Sequence, residues 1–198
     1  MRATKRFGRI AKACLTLLLA GVLCWLIWLV GGQRGRAEKA IRALGADVGV
    51  TATQPSWVPR PLRWASKGMF KRVTWVSSRK GSMTDADLRQ VGKLTHLRGV
   101  NLWNAEVTDK GLAHLASLVE LRTLILAGPG ITDAGLVHLK GMPQLWELYL
   151  VDTSVTDAGL VHLHGLKRLH FVALDRTAVT DTGVARLQKA LPGISVRR

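Results

Sequence analysis

Between residues 70 and 198 the apolar positions recur with a period of 24. Leu97-x-x-Val100-x-Leu102 is followed by Leu121, Leu124 and Leu126, then Leu145, Leu148 and Leu150, then Leu169, Val172 and Leu174. Val73 and Val76 mark a degenerate earlier copy, and Val196 a terminal one. The alternation closing each segment predicts a short strand. Thr-Asp then recurs at 84, 108, 132, 156 and 180, as TDADL in the first copy and TDKGL, TDAGL, TDAGL and TDTGV afterwards. A threonine hydroxyl suits a helix N-cap, and an aspartate at the first helical position suits the positive end of the helix dipole. Met83, Val107, Ile131, Val155 and Val179 precede the threonines, and Leu88, Leu112, Leu136, Leu160 and Val184 follow four residues after them. That is the spacing of a hydrophobic staple. Leu136, Leu139 and Met142 extend one apolar stripe along the helix, with Gly141 and Gly165 as stops.

Each 24-residue unit therefore reads as one strand and one helix. One unit cannot bury both apolar faces, and stacking about five of them does. Glycine at the third helical position lets neighbouring coils approach closely. Asp87 takes that place in the first copy, where it completes a capping box with Thr84.

These units resemble leucine-rich repeats, in a frame similar to the cysteine-containing, ribonuclease-inhibitor-like class. They resemble especially the bacterial membrane-anchored proteins built from L-x-x-L-x-L-x-x-T-x-V-T-D-x-G-L; Leu145 to Leu160 matches that unit in full, and 169–184 matches with Val172 and Val184 as variants. The resemblance is strong over 70–198 and weaker over AEKAIRALGADVGV and FKRVTWV, which look like a helix-strand lead-in. It implies an α/β solenoid, a right-handed arc with strands on the concave side. It also implies a protein-binding role. The cysteine of eukaryotic adaptor members and any F-box-like segment are absent from the sequence, so a ubiquitin-ligase role is not carried over.

Upstream the pattern changes. Residues 13–32 read ACLTLLLAGVLCWLIWLVGG and carry no charge. As a helix such a run spans roughly 30 Å, the thickness of a hydrocarbon core. Arg2, Lys5, Arg6, Arg9 and Lys12 precede it, Arg34, Arg36, Lys39 and Arg42 follow, and Trp25 and Trp28 sit toward its exit. The reading is a retained transmembrane helix with a basic cytoplasmic N-terminus, residues 1–12, and the repeats outside the cytoplasm in the cell membrane's single-pass arrangement. The competing reading is a cleaved signal peptide, whose apolar region is normally about 7–15 residues long and is followed by a small-residue site. Cys14 and Cys24 lie within the run as small apolar fillers.

Residues 33–69 read as connector and N-terminal cap: a helix over 37–44, a strand over 48–51, then Pro55, Pro59 and Pro61. Trp57 and Trp64 with Arg60, Arg63 and Lys67 suit a lid over the apolar end of the solenoid or, alternatively, contact with the lipid interface. Pro192 closes the last helix, and Arg197 and Arg198 are expected to blunt the exposed final strand.

Charge refines this picture. The chain of 198 residues carries a net +16. Residues 1–69 hold 12 Lys/Arg against 2 Asp/Glu, a net of 12 − 2 = +10, whereas 70–198 hold 17 against 11, a net of 17 − 11 = +6. The basic excess thus concentrates near the anchor, without the organised phosphate-binding motif that a nucleic-acid partner requires. No nucleophile elbow, glycine-rich phosphate loop or metal-ligand spacing occurs in the sequence, so no enzyme, cofactor or metal is expected. Asp85, Asp109, Asp133, Asp157 and Asp181 read as helix-start residues rather than a carboxylate array. His114, His138 and His162 read as a solvated helical face rather than ligands or sensors.

The strand positions pointing away from the core hold the candidate binding site. They are Trp75, Ser77 and Arg79; Gly99, Asn101 and Trp103; Thr123, Ile125 and Ala127; Glu147, Tyr149 and Val151; Phe171, Ala173 and Asp175. Trp75, Arg79, Asn101, Trp103, Ile125, Glu147, Tyr149, Phe171 and Asp175 are the predicted contact residues for a protein or peptide ligand, since exposed aromatics in a polar frame typify hot spots. Trp103 and Tyr149 are expected to flank Ile125. Arg79 and Lys80 place positive charge at one end of this face, and Glu147, Asp152 and Asp175 negative charge toward the other. Two functions follow: a non-enzymatic membrane-held binding module, or a structural envelope component whose arc only packs against neighbours.

Overall fold

The computed structural model describes residues 46–52, 71–78, 83–103 and 105–198. The predicted transmembrane helix, most of the connector and cap, and Arg79 and Lys80 lie outside the described residues. Among the described residues no helix is long and apolar enough to cross a membrane. The chain divides into two compact units, residues 1–36 with 52–71 and residues 37–51 with 72–198; the repeats form the second.

Seven strands form one sheet in sequence order: β1 (Ala46–Ala52), β2 (Lys71–Ser78), β3 (Gly99–Leu102), β4 (Thr123–Ala127), β5 (Glu147–Val151), β6 (Phe171–Ala173) and β7 (Ser195–Arg197). From β2 to β7 each pairs in parallel with the next. The register steps by 24 throughout: Val100 faces Leu124, Leu124 faces Leu148, Leu148 faces Val172 and Val172 faces Val196. The sequence repeat is therefore the structural repeat. One strand per coil, each beside the last, is the arrangement the leucine frame requires. Val48–Thr51, expected as a strand, falls within β1.

Helices α1 (Asp85–Val91), α2 (Asp109–Ala113), α3 (Asp133–Leu136), α4 (Asp157–Leu160) and α5 (Asp181–Ala190) begin directly after the five threonines. The inner helices are shorter than the apolar stripe suggests. After α3 and α4 the chain tightens into 3₁₀ turns over Val137–Gly141 and Val161–Leu163. A 3₁₀ turn brings residues three apart onto one side, and Leu136, Leu139 and Met142 are all fully buried. The apolar spacing thus survives although the α-helix does not. Gly141 ends its turn for a packing reason: a Cβ there would lie 2.4 Å from the carbonyl oxygen of Ala116 in the preceding coil.

The core runs continuously between strands and helices. In one coil Leu121, Leu124, Leu126, Ile131, Leu136, Leu139 and Met142 are each at most 1 % exposed. The staple residues Met83, Val107, Ile131, Val155 and Val179 are all buried. His114, His138 and His162 depart from expectation: they are half-buried rather than fully solvated. A short, tightly wound helical segment leaves too little outer face to carry them clear of the surface.

The recurring Thr-Asp pairs join the coils. Asp85 accepts from the backbone N–H of Thr108 at 2.8 Å and from its hydroxyl at 2.6 Å. Asp109 holds Thr132, Asp133 holds Thr156 and Asp157 holds Thr180 in the same way. Each threonine oxygen also accepts from an N–H of its own helix, at 3.2–3.3 Å. The glycine of the motif makes room for this clamp. A Cβ at Gly111, Gly135, Gly159 or Gly183 would fall 2.1–2.3 Å from the preceding aspartate's Oδ1. In the first copy Asp87 accepts from the backbone N–H of Thr84 at 2.8 Å, the capping-box bond, and also from its hydroxyl at 2.9 Å. At the other end Asp181 is bound by Arg198.

Candidate functional site

Register arranges the outward strand residues in rows. One row runs Trp75, Gly99, Thr123, Glu147, Phe171, Ser195, and the next Ser77, Asn101, Ile125, Tyr149, Ala173, Arg197. Ile125 thus lies between Asn101 and Tyr149. Trp103, 45 % exposed, follows the end of β3, one step further along the strand direction than that row. The expected flanking of Ile125 by Trp103 and Tyr149 is therefore corrected to a diagonal arrangement. Asn101 fixes this strand end, its side-chain oxygen accepting the N–H of Trp103 at 2.9 Å.

The aromatic residues do not act alone. Tyr149 and Phe171, diagonal on neighbouring strands, have ring centroids 5.3 Å apart at 51°. The Arg197 guanidinium lies 5.9 Å from the Phe171 centroid, within cation–π range. Trp75 leans across β3: a Cβ on Gly99 would lie 1.8 Å from its ring. Only glycine in that position of the row lets the indole lie flat against the sheet. Ala173 and Val151, read as outward, are buried.

The expected charge gradient along the stack is cancelled at its acidic end. Asp175 accepts from Arg197 Nη2 at 2.8 Å, and its carboxyl is held below the usual aspartate range chiefly by this hydrogen bond. Asp152 forms a two-pronged pair with Arg176, whose hydrogen bonds lower its carboxyl in the same way. Arg197 and Arg198 thus bind acids of their own chain, a more specific role than blunting an edge. Asp152 and Arg176 share another constraint. Both have positive φ, 54° and 57°, at the repeat position where Gly128 has 105°. At these three positions the chain turns off the strand through the left-handed region.

The opposite border of the face, where the chain enters the strands, carries residues the sequence reading left out. Arg98, Arg122, Trp146 and His170 follow the first leucine of successive units, and the N–H of each of the last three bonds the carbonyl of the one before, at 2.7–2.9 Å. All four are exposed. Trp146, at 49 %, stacks on His170 with centroids 4.9 Å apart and planes at 23°. Beside it Arg122, Thr123, Gln144, Trp146, Glu147 and Arg168 line a groove of about 480 Å³. Arg168 donates to Gln144 Oε1 at 2.5 Å, and the Thr123 hydroxyl donates to Glu147 at 3.3 Å. The signal was available in the sequence, since these positions keep the same 24-residue period. The alternation within a strand does not mark them, because they precede its first outward position. Among the described residues no three His, Cys, Asp or Glu side chains gather as a metal site.

Stacked strand-helix coils, leucine or valine on the inward strand positions and one coil per sequence period define the class of architecture: a leucine-rich repeat fold, a parallel-sheet solenoid. No family model matches the sequence, and no curated protein matches it. Solved structures similar to part of it include an internalin C2 of Listeria monocytogenes, at 23 % identity over 63 % of this chain and 50 % of that one, TM-score 0.49. A leucine-rich repeat protein of Leptospira interrogans is similar at 18 % identity over 56 % of this chain and 27 % of its own, TM-score 0.44. A second Listeria monocytogenes internalin is similar at 21 % identity over 55 % and 36 %, TM-score 0.39. The chain spans half or less of the length of these structures.

Proposed function

We propose that this protein is a non-enzymatic binding module, anchored in the cell membrane by residues 13–32, with its repeats outside the cytoplasm and a concave strand face offered to a protein or peptide. The observation that carries the binding reading is the aromatic group on the outward rows. Tyr149 and Phe171 lie within ring contact of each other, and Trp103 is exposed past the end of β3, two strands from Tyr149. Rigid aromatic anchors on a scaffold of fixed register are the chemistry of a hot spot. The uncharged run between basic flanks supports the anchor.

Capture of partners by the full chain tests the first part. Trp103→Ala with Tyr149→Ala is expected to weaken capture by about three orders of magnitude if each truncation costs about 2 kcal/mol. Undiminished capture by the folded double variant would overturn the site. Protease added to right-side-out spheroplasts is expected to degrade the repeats, and full protection would overturn the orientation.

A structural envelope role is the second reading. It is favoured by Val119, Val137 and Val161, which are 52 %, 41 % and 58 % exposed and lie outside the strands. Apolar residues there suit packing against a neighbour. Loss of assembly in a Val137→Lys, Val161→Lys variant, with capture by the strand face unaffected, would favour that role.

A further inference from the structure

The groove beside Trp146 combines two features: an exposed indole and guanidinium charge in excess of the acid that lines it. One face of the Trp146 ring is covered by His170. Arg122, on the neighbouring strand entrance, lies to the other side. Its side chain has no hydrogen-bond or ion-pair partner among the described residues. Arg168 is held by the neutral Gln144, which leaves its charge uncancelled. Glu147 is the one carboxylate in the lining, already accepting from Thr123, so two cations stand against one anion. Arg98 extends the same row. Across the strands the opposite border is different, because Asp152 and Asp175 are each matched by an arginine. Among the described residues the face is thus polarised across its strands, with uncompensated positive charge at the entrance border.

We propose that this groove is the anchor site for an acidic peptide segment. A glutamate or aspartate carboxylate is received between Arg122 and Arg168, and an adjacent apolar or aromatic side chain lies on the uncovered face of Trp146. The inference rests on the binding reading above and adds the partner's chemistry to it. Guanidinium forks match carboxylate oxygens in pairs, which an ammonium cannot do. An indole against that pair excludes water and strengthens it, as in interface hot spots rich in tryptophan and arginine.

The test is selection of random phage-displayed peptides on the full chain in detergent. The expected enrichment is for Asp or Glu next to an aromatic or aliphatic residue. A synthetic peptide of the enriched sequence should bind about thirtyfold more weakly to Arg122→Gln, Arg168→Gln, and about tenfold more weakly to Trp146→Ala. Exchanging the peptide's acid for its amide should cost the wild-type chain the same factor and the double variant almost nothing. Raising salt from about 50 to about 300 mM should weaken wild-type binding more than that of the double variant. If the double variant loses its far-UV circular dichroism, the acid-to-amide exchange on the wild-type chain decides alone. Enriched peptides without an acid, or acidic peptides indifferent to both changes, overturn the inference. If such peptides still depend on Trp103 and Tyr149, the binding reading stands without it. Enrichment of no peptide, with or without binding of a uronic-acid polysaccharide, overturns both.

Discussion

The carboxylate of Asp133 holds Thr156 in the next coil with both oxygens, Oδ1 accepting the backbone N–H at 2.8 Å and Oδ2 the hydroxyl at 2.6 Å. Gly159, three residues after that threonine, leaves the space the carboxylate occupies. A Cβ there would lie 2.3 Å from Oδ1 and 3.0 Å from Cγ. Gly159→Ala should therefore destabilise, although alanine favours a helix by about 1 kcal/mol over glycine. In an Asp133→Ala background the same change should cost much less, a coupling readable in a double-mutant cycle by denaturant titration. Gly165→Ala, with open space around its Cβ, is the control and should be nearly neutral. Equal losses for Gly159→Ala in both backgrounds would contradict the clamp.

Acid should loosen the C-terminal coils. Hydrogen bonds from the Thr180 hydroxyl and then its backbone N–H hold the Asp157 carboxyl below its ordinary value. A group depressed on folding contributes its stability in full above the unfolded value of about 3.9 and loses it as pH falls through the lower folded value. Asp157→Asn should thus lower the melting temperature at pH 7 and differ little from wild type well below the ordinary aspartate range. A difference that persists undiminished in strong acid would show that the charge is not responsible.

Leu148 and His138 test the register of the core. Leu148 is fully buried in β5, whereas His138 is half-buried on the helical side. Leu148→Asp buries an unpaired charge between two coils and should cost several kcal/mol. His138→Ala should cost far less. Similar thermal shifts would place the strand rows wrongly.

Arg176 occupies the left-handed region that glycine fills at the equivalent position 128. Arg176→Gly relieves that backbone cost and loses only an exposed pair with Asp152. Its melting temperature should hold or rise, and a clear fall would give the ion pair the larger share of the turn's stability.

The sequence by itself determined the 24-residue coil, the inward leucines and valines, the five threonine helix starts and the glycine that follows four of them. These follow from local rules, since periodicity, capping and small residues act within one unit or between identical ones. Tyr149 was legible as outward for the same reason. What only the tertiary structure decided depends on contacts between unlike side chains of adjacent coils. That Asp133 serves Thr156 more than its own helix, that Trp75 lies across Gly99, and that Asp175 is spent on Arg197 cannot be read from one unit's pattern. Nor can the groove at Trp146, whose walls come from three successive coils. A period states which residues recur side by side; it does not state which way each side chain leans, and that lean is fixed by the room and charge its neighbours leave.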